Sequence, residues 1–147
     1  MHHMTNTMRS RLRRLAAFTA LEILVVLAII GMLIAVGVTQ LDRIFSDSQE
    51  NVASLFVNES IKTPLMNYRI HMGSYPSTED GLEALIRAPA NRSDRWRGPY
   101  LQGGRLPVDP WGNPYQYRYP GTRNPDGYDV WSLGPDGIDN DNVIGNW

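Results

Sequence analysis

The amino-acid sequence predicts an α+β protein. A long N-terminal helix, first membrane-spanning and then amphipathic, packs on a small C-terminal domain with a short helix and a small antiparallel sheet. Three observations lead to this prediction. Residues 18–38 form a 21-residue apolar run whose one charged residue is Glu22. Apolar residues then recur at helical spacing as far as residue 72, and residues 88–147 are rich in Gly, Pro and aromatic side chains.

The first part of the helix has the length and flanking charge of a single membrane span. A helix of 21 residues reaches roughly 32 Å, which is enough to cross the hydrocarbon core of a bilayer. Residues 1–17 before it contain no acid and carry four arginines, which hold that end in the cytoplasm. We therefore expect a basic leader at residues 1–17, a transmembrane and assembly helix at 18–40, and an outward-facing remainder.

Glu22 lies within this span and requires an explanation. A carboxylate in hydrocarbon costs on the order of 2.5–3.5 kcal/mol, and the span contains no cation. Three interpretations remain open: a secretory signal peptide, a plain signal anchor with Glu22 at the membrane interface, or a leader cut between Ala17 and Phe18. In the third, the new amine of Phe18 and the carboxylate of Glu22 are four residues apart on one helical face.

Composition limits the possible functions of the chain. The net charge of the 147 residues is −1, and removing the four leader arginines leaves a value near −5. Such a charge argues against nucleic-acid binding. The sequence contains no cysteine, which excludes disulfides, thiolate zinc sites and cysteine nucleophiles. No nucleophile motif or phosphate-binding loop is present, and His71 is the one histidine after the leader, so we predict that the chain is not an enzyme.

Residues 41–72 continue the helix with an apolar stripe, whose steps are mostly three, four or seven residues. The stripe indicates packing against the C-terminal domain, which is compatible with self-assembly. Pro64 predicts either a kink or a fresh turn with Thr63 as its N-cap. The sequence Gly73–Pro76 predicts the end of the helix.

Residues 73–147 form the predicted globular domain. A short helix begins at Ser77 or Thr78 and closes at Pro89. Residues 115–119 and 128–132 have the pattern of two short strands, and the turn signals between them predict a hairpin.

The loop at residues 132–143 contains a cluster of oxygen-bearing side chains. Asp136, Asp139 and Asp141 lie within seven residues together with Asn140 and Asn142. Oxygen ligands without His or Cys suit a hard cation, above all Ca²⁺. The spacing is not that of an EF-hand, so residue types alone also allow an acidic, solvated turn with Asx caps.

The N-terminal block RLRRLAAFTALEILVVLAIIGMLIAVGV resembles the start of type IV pilins and type II secretion pseudopilins. Phe18, Thr19 and Glu22 match the class, whereas Ala17 replaces its usual Gly and Thr39 replaces a frequent proline. The resemblance implies a type IV pilin-like fold. It also implies cleavage between Ala17 and Phe18 by a prepilin peptidase, which methylates the new amine.

Five C-terminal segments resemble the major pseudopilins of type II secretion in the same order along the chain. They are GSYPSTEDGLEAL, RGPYL, LPVDPWGNPYQY, YDVWSLGPDG and IGNW. Type IVa pilins usually carry a cysteine pair near the C-terminus, and this chain has no cysteine. For the loop at 132–143, the resemblance implies a Ca²⁺ site, although Asn142 and Val143 stand where the family often has a pair of carboxylates. We therefore expect a rearranged ligand set of Asp136, Asp139 and Asp141, with the carbonyls of Leu133 and Asn142.

The resemblance implies a structural subunit that polymerises with copies of itself into a periplasmic fibre, the pseudopilus, which drives protein export across the outer membrane. Glu22 then pairs with the Phe18 amine of a neighbouring subunit. The implied location is the bacterial inner membrane, with one span and a periplasmic domain. The implied partners are minor pseudopilins, the prepilin peptidase and an inner-membrane assembly platform, with no nucleic acid. Two alternatives are a type IV pilus subunit and a membrane-anchored binding module that does not polymerise.

Overall fold

The computed structural model describes residues 19–147, so the basic leader and the expected cleavage pair Ala17 and Phe18 lie outside the described residues. The described part consists of α1 (Ala20–Leu55), a π-helical turn (Phe56–Ser60), α2 (Lys62–Met72) and the strands β1 (Gln116–Arg118), β2 (Asp129–Ser132) and β3 (Ile144–Gly145). Two short 3₁₀-helices, Leu82–Leu85 and Gln102–Gly104, lie between α2 and β1. The chain forms two compact units that divide between Arg43 and Ile44.

The first unit, in its described part, is the beginning of α1. Thr19 precedes the helix, and its Oγ1 accepts the Glu22 N–H at 3.2 Å, as an N-cap side chain does. Every side chain from residue 19 to residue 43 is exposed, including large apolar ones such as Leu21 and Met32. The helical run Ala20–Met72 contains the one helix among residues 19–147 that is long and apolar enough to cross a membrane. An all-round apolar helix of this kind requires lipid or other helices around it.

The second unit contains the π-helical turn, which lies just before Pro64. The N–H of Ile61 donates to the carbonyl of Phe56, five residues back, at 3.1 Å. Pro64 has no N–H for the carbonyl four residues before it, and its ring would clash there in a regular helix. The wider turn absorbs this conflict, so the helical path continues instead of stopping. The prediction of Thr63 as N-cap was wrong, because α2 begins at Lys62 and no side chain caps it.

The hydrophobic core of the second unit is built on one face of this helical path. Successive buried residues along the turn and α2 are three or four positions apart, the spacing of a single helix face. They contact the 3₁₀-helix Leu82–Leu85 and the central strand β2. The buried set is Val57, Ile61, Leu65, Tyr68, Met72, Leu82, Ala84, Leu85 and Val130. The helix ends at Gly73, which adopts the left-handed conformation (φ 86°) and donates its N–H to Arg69 O at 2.8 Å.

The helix predicted from Ser77 to Pro89 is much shorter in the structure. Ser77 accepts the Asp80 N–H at 3.1 Å and donates to the Asp80 carboxylate at 2.7 Å, which forms a capped turn. Gly81 then adopts φ 59° and ψ −162°, a conformation that no helix contains. Only the 3₁₀-helix Leu82–Leu85 follows. The sequence pattern was amphipathic, but the glycine divides it into two turns.

The three strands form one antiparallel sheet in the order β1-β2-β3. The predicted hairpin is confirmed, with Tyr117 opposite Val130. β3 was not predicted, because two residues that include a glycine carry no periodic signal. Val130 is fully buried in the core, so its neighbour Trp131 lies on the other face of the sheet.

Asp129 in β2 closes the loop between β1 and β2. Its buried carboxylate accepts the backbone N–H groups of Thr122, Arg123 and Asn124 at 2.6, 2.8 and 2.9 Å, and the Asn124 side chain at 3.2 Å. Burial by itself raises the pKa of this carboxyl, but these hydrogen bonds to the charged form outweigh it and hold the pKa below its ordinary value.

We expect Asp129→Asn to lower the free energy of unfolding at neutral pH by about 1–3 kcal/mol, because an amide cannot accept all of these bonds. Since the pKa of Asp129 is lower in the folded chain than in the unfolded one, its stabilisation is present above the unfolded-state pKa and is lost as the pH falls through the folded-state pKa. The difference in melting temperature between wild type and variant should therefore shrink in acid. Thermal melts of the detergent-solubilised chain across pH measure this.

Asp126→Asn is the matched control, since Asp126 is exposed in the same loop. It should leave the melting temperature nearly unchanged at every pH. A difference between wild type and Asp129→Asn that stays constant from neutral pH into acid would contradict the assigned role of the charged carboxylate.

Candidate functional site

The first candidate site is the start of α1, where Glu22 is the third helical residue. The first turn of a helix has unpaired N–H groups and a partial positive charge, so an acidic side chain is favourable there. The pair Thr19 and Glu22 has the T-x-x-E spacing of a capping box, and the Thr19 half of that box is formed. The local sequence therefore places a carboxylate at a defined position beside the beginning of the apolar helix.

The carboxylate of Glu22 is exposed and has no cationic partner within residues 19–147, where the one ion pair joins Lys62 and Glu59 at 3.2 Å. Phe18, the residue expected to supply the amine, lies outside the described residues. The structure thus locates one half of the expected charge pair. It also shows that the apolar surface following Glu22 is not covered by the described part of its own chain.

The second candidate site is the loop between β2 and β3, at residues 132–143. The start of this loop is held in place by Asp109, a buried residue of the turn at residues 109–113. Asp109 Oδ2 accepts the hydroxyl of Ser132 at 2.6 Å, and Asp109 Oδ1 accepts the N–H groups of Trp111 and Asn113 at 3.1 and 2.7 Å. Ser132 Oγ in turn accepts the N–H of Gly134 at 3.0 Å.

Asp109 was missed in the sequence as a structural residue. The available signal was the Asx turn, in which an aspartate at the start of a turn accepts N–H groups just after it. In the same turn, the side-chain amide of Asn113 donates to the carbonyl of Gly134 at 3.1 Å. The turn is therefore hydrogen-bonded to the loop at both Ser132 and Gly134.

The tip of the loop carries the expected metal ligands. Asp136, Asp139, Asp141 and Asn142 are exposed, and Leu133 is half-buried. The three carboxylates do not converge: among residues 19–147, no group of three His, Cys, Asp or Glu side chains is arranged to hold a metal ion. The all-oxygen donor set suits a hard cation. Because the three carboxylates do not converge, a cation bound to the loop in this conformation would need loop carbonyls as further ligands.

Two features of the loop bear on that fit. Gly134 and Gly137 both have positive φ, 71° and 64°, and the Asn142 carbonyl lies 3.6 Å from where a Cβ of Gly134 would be. The beginning and end of the loop are therefore neighbours at Gly134 and Asn142. Asn140 is already engaged, since its Oδ1 accepts the Asn142 N–H at 2.8 Å as an Asx cap. The Asx-capped turn that was foreseen as the alternative to a cation site is therefore present at residues 140–142.

Neither His71 nor the groove beside Pro64 has a catalytic arrangement. His71 Nδ1 lies 3.0 Å from the Tyr100 hydroxyl, which also accepts the Arg97 N–H at 3.0 Å, and this arrangement is a packing contact. A groove of about 730 Å³ beside Pro64 and Tyr100 contains Arg105 but no Asp, Glu or His to move a proton.

Comparison with known proteins places the chain in a family. Residues 43–147 match the family model described as "Type II secretion system (T2SS), protein G". A protein of Pseudomonas aeruginosa named type II secretion system core protein G is 42% identical over 142 residues, covering 92% of this chain and 96% of the relative. The protein of the same name from Vibrio cholerae is 37% identical over 146 residues, covering 93% of this chain and 94% of the relative.

A solved structure agrees with these sequence matches. The crystal structure of the major pseudopilin from the type 2 secretion system of enterohaemorrhagic Escherichia coli superposes with a TM-score of 0.57 at 31% identity, covering 69% of this chain and 85% of that chain. The α+β fold with a long N-terminal helix and a small antiparallel sheet is therefore that of a pseudopilin. The chain belongs to the type II secretion system protein G family, the major pseudopilins.

Proposed function

We propose that the chain is a structural subunit of the type II secretion pseudopilus, a fibre of identical subunits that drives protein export across the outer membrane. One observation carries the proposal. In a member of this family, α1 carries Glu22 in its first turn and is then apolar on every side as far as Val38, and every side chain within residues 19–43 is exposed. A helix of this kind is suited to lipid while the subunit is a monomer, and to the helices of other copies once it is in a fibre.

The subunit is held in the inner membrane by this single helix before assembly. The four arginines of the leader keep the N-terminus in the cytoplasm, so the unit that begins at Ile44 faces the periplasm. A prepilin peptidase cuts between Ala17 and Phe18 on the cytoplasmic side and methylates the new amine. The implied partners for polymerisation are the inner-membrane assembly platform and the minor pseudopilins.

Glu22 sets the register between subunits in this proposal. A lone carboxylate among apolar helices is costly, and so is a lone ammonium. If the amine of Phe18 in one subunit meets the carboxylate of Glu22 in the next, both costs are removed in one axial position. If the helices slide to any other position, both charges are left unpaired. The free-energy cost of an incorrect register is therefore larger than the stabilisation that the pair gives to the correct register.

The loop at residues 132–143 is the proposed calcium site. Its tip carries three exposed carboxylates that repel one another, and a dication relieves that repulsion. Asp136, Asp139 and Asp141 would supply side-chain oxygens, with the carbonyls of Leu133 and Asn142. The support is the donor chemistry and the closeness of Gly134 to the Asn142 carbonyl. Bound Ca²⁺ would supply charge neutralisation and order in the loop.

For the assembly role, we expect Glu22→Gln to be inserted and cleaved normally but to form at least about tenfold less sheared, pelletable fibre, because one partner of a buried pair is lost. Glu22→Asp retains the charge and should lose less. Fibres are counted by electron microscopy in the host lacking its own copy of the gene, and cleavage is measured by mass spectrometry of the membrane fraction.

Glu50→Gln is the control, since Glu50 is an exposed carboxylate on the same helix beyond the apolar run. It should polymerise like wild type. Because the sequence has no cysteine, one introduced cysteine pair in α1 reports neighbouring helices without background. Normal fibre yield from Glu22→Gln would rule out the pairing role. No fibre from wild type, together with no cross-link from the chain that carries the introduced cysteine pair, would favour the non-polymerising membrane module instead.

For the calcium loop, we expect the melting temperature of the chain to rise by several degrees when Ca²⁺ replaces EDTA, because the ion binds the folded loop and not the unfolded chain. Asp136→Ala should remove most of that rise. Circular dichroism melts of the detergent-solubilised chain, with Ca²⁺ and with EDTA, make the comparison.

Asp94→Ala serves as the control for charge, because Asp94 is an exposed aspartate outside the loop. It should keep the full response to Ca²⁺. Identical melting temperatures for wild type in Ca²⁺ and in EDTA would exclude a calcium site of any functional affinity.

A further inference from the structure

Two tryptophans and two arginines form a surface on the face of the sheet that points away from the core. Trp131 lies in β2, Trp147 follows β3, Arg118 ends β1, and Arg123 lies in the loop between β1 and β2. The Cζ of Arg118 is 5.9 Å from the centre of the Trp131 ring, and the Cζ of Arg123 is 5.5 Å from the centre of the Trp147 ring. The two indole rings are 6.1 Å apart. We call these four residues the tryptophan–arginine face.

The face contains a buried hydrogen-bond donor with no acceptor. Trp131 is only 9% exposed, and its Nε1–H is the one buried side-chain polar atom without a partner among the described residues. Buried polar groups in native structures are nearly always paired, so this exception requires a reason. Trp96 shows the usual arrangement in the same unit, since its Nε1–H donates to the Ala84 carbonyl at 2.8 Å.

The face also carries positive charge without a counter-ion. Within residues 19–147 the one ion pair is Lys62–Glu59, so neither Arg118 nor Arg123 pairs with a carboxylate there. Asp129 lies opposite Arg118 in the sheet, but its oxygens already accept the N–H groups at residues 122–124. Among the residues that the structure describes, the guanidinium of Arg118 makes one hydrogen bond, from Nη1 to the Thr122 hydroxyl at 2.8 Å. The face thus presents donors and cations, and its complement must be anionic and rich in acceptors.

We propose that the tryptophan–arginine face binds an acidic peptide segment of a partner protein. Carboxylates of the peptide pair with the two guanidiniums, and a peptide oxygen accepts the Trp131 N–H as Arg118 moves toward its anion. Trp147 is half exposed and supplies apolar contact. Trp and Arg are the residues most enriched where binding energy concentrates, and the cation–π contacts hold both guanidiniums ready on the rings.

A peptide fits this face better than an isolated anion does. β3 is at the edge of the sheet, where an extended segment can add backbone hydrogen bonds beside the face. The acids of this chain cluster at residues 136–141, assigned above to calcium, and at residues 79–83, which form a turn and part of the 3₁₀-helix Leu82–Leu85. Neither stretch is a free extended segment, which leaves a different protein as its source. The inference does not depend on fibre formation.

The test uses the full chain in detergent and a fluorescent 12-residue peptide of alternating Glu and Thr, with a matched peptide of alternating Gln and Thr. Fluorescence anisotropy should show the Glu peptide binding at least about tenfold more tightly than the Gln peptide. The double variant Arg118→Gln/Arg123→Gln should lose that preference. The double variant Arg87→Gln/Arg95→Gln removes the same charge from exposed arginines elsewhere and should bind within about twofold of wild type.

A second readout reports the buried indole directly. The ¹⁵N–¹H signal of Trp131 Nε1, assigned with Trp131→Phe, should shift and exchange more slowly when the Glu peptide binds, while the signal of Trp96 stays in place. Equal binding of both peptides, no binding, equal loss in the Arg87/Arg95 variant, or an unmoved Trp131 signal would each overturn the proposal. It would also be overturned by self-association through Arg118 and Arg123 in sedimentation, or by binding of a heparin oligosaccharide but not the Glu peptide.

Discussion

The constraint on which the rest depends is an apolar helix that the described part of its own chain leaves uncovered. From residue 19 to residue 43, every side chain of the first unit is exposed, although most are large and apolar. Within the second unit, the turn Phe56–Ser60 and α2 do bury one face, against the 3₁₀-helix and β2. One continuous helical path thus has two kinds of surface. The covered kind folds the domain, and the uncovered kind must be satisfied by lipid or by other subunits.

Glu22 turns this general requirement into a specific one. Apolar packing alone gives nearly the same free energy when one helix slides along another, because each position buries similar surface. Thr19 caps the helix turn that carries Glu22. In the proposed fibre, the carboxylate of Glu22 would meet a neighbour's positive terminus in one register alone. In this account burial supplies the affinity between subunits, whereas the charge supplies their register.

The long helix, the hairpin and the α+β class could be predicted from the sequence because their signals are local. The 3.6-residue period of a helix and the two-residue period of a strand are both visible within a short window of sequence. The parts that could not be predicted depend on distant contacts. Asp109 bonds Ser132 across 23 positions, and no window near either residue contains the other. The π-helical turn resolves a conflict between Pro64 and a core face that only the folded domain imposes. Of the candidate sites, the position of Glu22 was predictable, whereas the convergence of the three loop carboxylates was expected and is absent from the described conformation.

The most direct test of the central claim is the intact mass of the protein isolated from the membrane and fibre fractions of its host. The account predicts a chain that begins at Phe18 and carries one methyl group on its amine. This product supplies the positive terminus that the carboxylate of Glu22 requires. A mature protein that still carries residues 1–17 in its fibres would contradict the account, because the only charge pair it proposes for the apolar helix could not form.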